Sequence, residues 1–219
     1  MYLLETYVED AGTNGVHPQV ADMGDDYRWD DPDSVTRMRS GRPLAVTPNL
    51  SFHLDPETNA TDVVTQGYTH ATGLLVSEAF CAALEGRAVQ AHERYAAQVV
   101  DDGEVLSYRW LHVVEQLEGR IDYRRSEFTV RNGDGPGREV TFADADDLRR
   151  QCRELVNSFK GALEARRVSF LPGTPRYDFF TLLLTSQLFF VSDSLAAEMT
   201  RRKLTGFHLV PAETVFGFE

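Results

Sequence analysis

The chain has 219 residues and carries 34 acidic against 22 basic side chains, for a net charge of −12 at pH 7. A chain of that length forms one large domain or two small ones, and folding buries about 70% of its unfolded surface without a disulfide staple. The acid surplus is uneven, with 11 acids against 4 bases over residues 1–60, 13 against 8 over 61–142 and 10 against 10 over 143–219. Such a balance argues against nucleic acid as a ligand, because phosphate binding needs clustered Lys and Arg. It suits a basic protein partner, although solubility alone also explains it.

The opening MYLLETYVED turns acidic at once, without the basic leader and apolar core of a secretory signal, so the cytoplasm is the expected location. Residues 1–66 hold few periodic apolar positions. They are read as an acidic, irregular N-terminal region of a single 1–219 domain whose core is residues 67–219. Within it, DMGDDYRWDDPDS (Asp22–Ser34) sets six aspartates around Tyr27 and Trp29. The stretch lacks the D-x-D-x-D-G order and closing Glu of a calcium loop. Two readings stay open. One is a solvated loop pinned by its rings. The other is a partner-binding patch of Asp25, Asp26, Tyr27, Trp29, Asp30 and Asp31, since aromatic residues are enriched at interface hot spots.

Leu74–Val76 reads as a short strand, and Ser77 then suits a helix N-cap. Glu78 falls in the first turn, where the helix dipole favours negative charge. Phe80, Cys81 and Leu84 follow at helical spacing. Asp102-Gly103 lies between two β-rich runs and predicts a hairpin. His112 on its second strand sits among large apolar neighbours, as a packed histidine rather than a catalytic one. In IDYRRSEF, read as strand, Asp122, Arg124 and Ser126 share a face. A salt-bridged sheet edge explains them as well as paired acid–base groups do. The run RNGDGPGRE between strands near Glu127–Val130 and Glu139–Phe142 predicts a turn, since neither a helix nor a Lys-Ser/Thr pair follows its glycines.

Asp144–Arg167 predicts the longest helix, with Leu148, Cys152, Leu155, Val156, Phe159 and Leu163 on one stripe. Asp144 and Asp147 resemble a capping box, and Arg166 and Arg167 suit the C-terminal end. Two strands follow, Tyr177–Leu184 and Leu188–Val191. The most apolar run, Phe179–Val191, is too short to span a bilayer. Ser192 then caps a helix led by Asp193, with Leu195 and Met199 on its buried face, Gly206 as terminator and Phe207–Val210 as the returning strand. This repeats the earlier phrase, pairing Val76 with Val191, Ser77 with Ser192, Glu78 with Asp193, Phe80 with Leu195 and Leu84 with Met199. The repeat is either two related halves or one device used twice, and the few matching positions favour the second. Neither serine sits in G-x-S-x-G. Cys81 and Cys152 lack metal-ligand spacing, and the histidines at 17, 53, 70, 92, 112 and 208 form no H-x-x-x-H pair. The expected fold class is α+β, with an antiparallel or mixed sheet and hairpins packed on a few amphipathic helices and two similar strand–helix–strand units.

Taken in order, LLVSEAFCAAL (Leu74–Leu84), YRWLHVVE (Tyr108–Glu115), IDYRRSEF (Ile121–Phe128) and LFFVSDSLAAEMTRRKLTGFHLVPAE (Leu188–Glu213) resemble a bacterial family. It is the myxobacterial-type immunity proteins of polymorphic toxin systems, formerly a domain of unknown function. The resemblance runs from about Leu74 to the C-terminus. It implies a protein that is not an enzyme and that binds a cognate protein toxin and blocks it. No catalytic residue, cofactor or metal ligand comes with it, nor any nucleic-acid or membrane partner. The acid surplus suits a basic toxin such as a nuclease. Two other readings are a hydrolase-like enzyme with an unrecognised cleft and a regulatory module with a non-toxin partner. Oligomeric state is not legible.

Overall fold

The structure is a computed structural model that describes residues 1–6, 18–24, 27–38, 43–67, 73–132, 137–158 and 161–218. The strands are β1 (Tyr2–Glu5), β2 (Val20–Asp22), β3 (Ser51–Leu54), β4 (Val63–Val64), β5 (Leu74–Ser77), β6 (His92–Asp101), β7 (Glu104–Val113), β8 (Glu127–Arg131), β9 (Arg138–Val140), β10 (Ala162–Ser169), β11 (Phe179–Leu183), β12 (Gln187–Val191), β13 (His208–Pro211) and β14 (Val215–Gly217). The helices are α1 (Glu78–Ala83), α2 (Ala145–Ser158) and α3 (Asp193–Arg202). The fold is α+β, with sheets ordered β2-β3-β6-β7-β5-β4, β11-β12-β1-β13 and β14-β10-β8-β9.

The local expectations that hold are those with a local cause. Asp102 (φ 44) and Gly103 (φ 82) turn the chain between β6 and β7, because two positive-φ residues match the twist of a tight hairpin. Ser77 Oγ accepts the Phe80 N–H at 3.1 Å and Ser192 Oγ accepts the Leu195 N–H at 3.2 Å. Both serines are thus N-caps. At α2, Asp144 Oδ1 accepts the Asp147 N–H and Asp147 Oδ2 accepts the Ala143 N–H. Cys81 and Cys152 are free and buried, on α1 and α2 and in separate core clusters. β8 and β9 form the antiparallel pair expected around RNGDGPGRE; residues 133–136 at its tip lie outside the described residues.

Four expectations need correction. The described residues of 1–66 include strands the sequence did not suggest: they supply β1 to β4, and β1 sits inside a sheet between β12 and β13. The helix from Asp144 does not reach Arg167. It ends at Ser158, and β10 begins at Ala162. Gly161 takes φ +122, and a side chain there would collide with the Arg131 backbone. Leu163 is buried through pairing with Val130 of β8, not through a helical stripe, and Arg166 and Arg167 lie on a strand. Val156, also placed on that stripe, is exposed, and Phe159 lies outside the described residues. Asp122–Ser126 is a turn, with Asp122 Oδ1 accepting the Arg124 N–H and Ser126 Oγ donating to the Asp122 carbonyl. Finally, Lys203, at φ 57, makes the left-handed residue that ends α3, in place of Gly206.

The repeated phrase is the visible part of a larger repeat. β4 and β5 pair as Val63↔Val76, and β11 and β12 pair as Phe179↔Val191. β7 lies between β5 and β6, and β1 takes the same place between β12 and β13. Arg109 faces Val76 and Ala96 on its two sides, just as Tyr2 faces Val191 and Pro211. β3 runs parallel to β6, and β10 runs parallel to β14. The central core has the same two-fold character. It pairs Val63 with Phe179, Leu74 with Phe189, Val76 with Val191, Phe80 with Leu195, Cys81 with Ala196, Leu84 with Met199 and Leu111 with Leu4, leaving only Ala83 without a counterpart. The two halves are related, against the reading that the sequence favoured. The second half borrows its last strand from the start of the chain.

Candidate functional site

The twin serines come first, because a hydroxyl beside a carboxylate has the look of chemistry. Ser77 Oγ donates to Asp62 Oδ1 at 2.6 Å, and Ser192 Oγ donates to Asp178 Oδ1 at 2.6 Å. Each aspartate also accepts the serine's backbone N–H through its own carbonyl. The second carboxylate oxygen then reaches across the repeat. Asp62 Oδ2 accepts the Thr205 N–H, which follows α3, and Asp178 Oδ2 accepts the Ala88 N–H, which follows α1. The carbonyls of Thr205 and Ala88 in turn accept the Val63 and Phe179 N–H groups. Burial raises the Asp178 carboxyl. Hydrogen bonds from Ser192, Ala88 and Ser194, together with Arg87, outweigh burial and hold it below the usual carboxylate range. A carboxylate held charged by that many donors is a poor base. These groups fasten each helix start to the opposite half.

Two further buried polar side chains, Gln90 and Glu118, are similarly committed. The buried Gln90 accepts the Thr181 N–H with Oε1 and donates to the Glu115 carbonyl, covering the outer edge of β11. Glu118 covers the same edge: its Oε1 accepts the Leu183 N–H at 2.6 Å. Burial raises the Glu118 carboxyl, with that hydrogen bond opposing. Burial pushes the Cys152 thiol up to about 11, the Glu118 charge adding to the effect. A thiol so protonated is not a nucleophile. His112 is fully buried on β7, its ring 6.1 Å from that of Tyr95. In IDYRRSEF, Glu127 pairs with Arg167 at 3.4 Å.

Within the acidic aromatic stretch, Tyr27–Ser34 forms a hydrogen-bonded turn. The Tyr27 hydroxyl accepts the Val35 N–H at 2.6 Å, and Ser34 caps the short 3-10 turn Val35–Arg37. The Trp29 ring stands edge-on to Tyr27, 4.9 Å between centroids, and remains 43% exposed. The Trp29 carbonyl accepts from Thr36, and the Asp30 carbonyl from Arg37. The Asp30 and Asp31 side chains are exposed, and neither carboxylate has a hydrogen-bond or ion-pair partner among the described residues. Asp25 and Asp26 lie outside the described residues, as do His17 and His70. Of the six residues nominated from sequence, Tyr27 is therefore a pin, while Trp29, Asp30 and Asp31 form an exposed face on a hydrogen-bonded turn.

A second feature had no signal in the sequence. A groove of about 710 Å³ opens where β1, β12 and β13 approach β10. Leu3, Leu188 and Phe190 line it, with Glu5, Arg166 and Glu213 at its charged positions. Arg131 and Glu164 pair across its margin at 3.1 Å. Its threonine hydroxyls serve the fold: Thr185 Oγ1 accepts the Leu163 N–H, and Thr214 Oγ1 donates to the Ala165 carbonyl at 2.7 Å.

Among the described residues no group of three His, Cys, Asp or Glu side chains is arranged to hold a metal ion, and no helix is long and apolar enough to cross a membrane. No protein-family model matches the chain, and no curated protein matches it.

Proposed function

We propose that this protein neutralises a cognate bacterial toxin by binding it, as an immunity protein does, with the acidic turn at Tyr27–Asp31 as part of its contact surface. The observation that carries the reading is the state of that turn. Trp29 offers an aromatic face, two unpaired carboxylates flank it, and Tyr27 holds the backbone, so little conformational entropy is lost when a partner docks. The acid surplus of residues 1–142 acts at longer range by steering a basic partner. The resemblance of Leu74–Glu213 to immunity proteins names the kind of partner.

The test is co-expression with a basic toxin encoded beside the gene, scored for rescue of growth and for a stable complex. In Asp30→Asn/Asp31→Asn, association slows several-fold at low salt and dissociation changes little, as for other rim charges. The free energy of unfolding stays within about 0.5 kcal/mol of the parent, as for exposed unpaired side chains. Growth without rescue, or association rates indifferent to both salt and the double substitution, rejects the reading.

A further inference from the structure

We propose that the groove between β13 and β10 receives an extended segment of the protein partner, one that carries an aliphatic or aromatic side chain beside a Lys or Arg. The proposal rests on the binding reading above and gives it a second contact surface. The argument starts from the repeat. In the first half β6 is one unbroken ten-residue strand, paired with β7 along one edge and, over Gln98–Val100, with β3 on the other. Its counterpart is divided. β13 pairs with β1, β14 pairs with β10, and Ala212–Thr214 connects them outside any strand. This division separates the two sheets, and the groove lies at the separation.

The divided strand leaves an edge to pair with. The Ala212 N–H donates to the Met1 carbonyl. By the alternation of an antiparallel ladder, Val210 and His208 also bond toward β1, and Leu209 and Pro211 face away. Pro211 has no N–H, so this edge offers an added strand the Leu209 N–H and the Leu209 and Pro211 carbonyls. Among the described residues no strand pairs with that outer edge of β13; in the first half β3 pairs with β6 only over Gln98–Val100, beyond the positions that correspond to β13. An added strand is a standard way to recognise an extended chain. The side chains define what it carries. Leu3, Leu188 and Phe190 make an apolar lining, and Val210, opposite Leu3, is 38% exposed. Glu5 and Glu213 are exposed and have no ion-pair partner among the described residues, while Glu164 is answered by Arg131. Two unanswered carboxylates against one unanswered guanidinium, Arg166, set the preference for a basic segment.

The full chain is titrated with short fluorescein-labelled peptides of alternating leucine and lysine, leucine and glutamate, or serine and lysine, read by anisotropy. The leucine–lysine peptide is expected to bind at least about tenfold tighter than the other two, a factor of ten being about 1.4 kcal/mol. Glu5→Lys/Glu213→Lys is expected to reverse the preference toward leucine–glutamate, and Glu57→Lys/Glu104→Lys, two exposed acids outside both the groove and the acidic turn, to leave it unchanged. Glu213→Lys alone, outside any strand, serves if the double variant is unstable. Equal binding of all three peptides, or equal losses from both double substitutions, overturns the proposal, the latter because net charge alone then explains binding. Sedimentation that shows a dimer lost in the Glu213 variant overturns it in favour of a second copy of this chain. The peptides test the groove without any toxin, so a toxin that fails to bind rejects the immunity reading alone. A toxin that binds the parent and the groove variants equally rejects the groove alone.

Discussion

The two halves of the molecule solve one packing problem with different chain connections. In the first half, β6 leads through a hairpin into β7, so the central strand of the sheet arrives by local connection. In the second, the equivalent position is filled by β1, brought from the far end of the chain. Both versions bury the same pattern of side chains in a shared core. The difference shows that the sheet requires a strand with apolar side chains toward the core in that slot, not a particular loop. It also shows where the halves diverge, at the divided strand β13–β14, and there the groove opens.

The largest test of this equivalence lies in the shared core. Phe80→Ala is expected to cost about 3–5 kcal/mol and its counterpart Leu195→Ala about 2–5 kcal/mol, the usual range for emptying a core site. If the halves form one cooperative unit, urea unfolding followed by fluorescence and by circular dichroism gives one coincident transition for each variant. Two separated transitions would mean that the halves fold independently.

The reciprocal aspartates come next. Asp62→Ala and Asp178→Ala each strand a serine hydroxyl and a backbone N–H from the opposite half, and each is expected to cost about 1–3 kcal/mol. The folded Asp178 carboxyl sits below its unfolded value, so its contribution is present above the usual carboxylate pKa and is lost as pH falls through the folded one. The stability difference between parent and Asp178→Asn therefore shrinks on acidification below about pH 4. A difference constant from neutrality to pH 3 would remove Asp178 as a charged anchor. Ser77→Ala and Ser192→Ala each remove a cap and the hydroxyl's bond to its aspartate, at about 1–2 kcal/mol each. Markedly unequal costs would break the equivalence of the two helix starts.

The smallest effect concerns Glu118, which has no counterpart in the repeat. Its folded pKa is raised by burial, so its contribution is fullest below the unfolded pKa and declines as pH rises through the folded value. Glu118→Gln keeps an oxygen for the Leu183 N–H and loses the charge. It is expected to gain on the parent as pH rises above about 4.3, the ordinary glutamate value. Urea midpoints at pH 5 and pH 8 that leave the variant's advantage unchanged would contradict this.

Helix caps and the Asp102-Gly103 turn were legible because each is decided within a few residues. Ser77 needs only Phe80, three positions on, and the hairpin needs only two positive-φ residues. The stretch from Leu155 to Leu163 was misread for the same reason in reverse. Its apolar spacing continues that of α2, and only Gly161 and the ladder to β8 turn ALEARRVS into a strand. Trp29, Asp30 and Asp31 could be nominated from composition, whereas Tyr27's role as a pin needed Val35 placed beside its hydroxyl. The groove residues Glu5, Arg166 and Glu213 are ordinary charges on three separate segments, and no local pattern joins them.

By itself, the sequence determined where helices begin, the hairpin turn at Asp102-Gly103, and that the acid surplus lies in the first two thirds. These properties depend on neighbours along the chain. The tertiary structure alone decided that Asp62 and Asp178 each clasp the opposite half, that β1 enters a sheet built from the C-terminal region, and that a divided strand leaves an open edge. Each of those depends on hydrogen bonds and burial between residues far apart in the chain, where spacing carries no information.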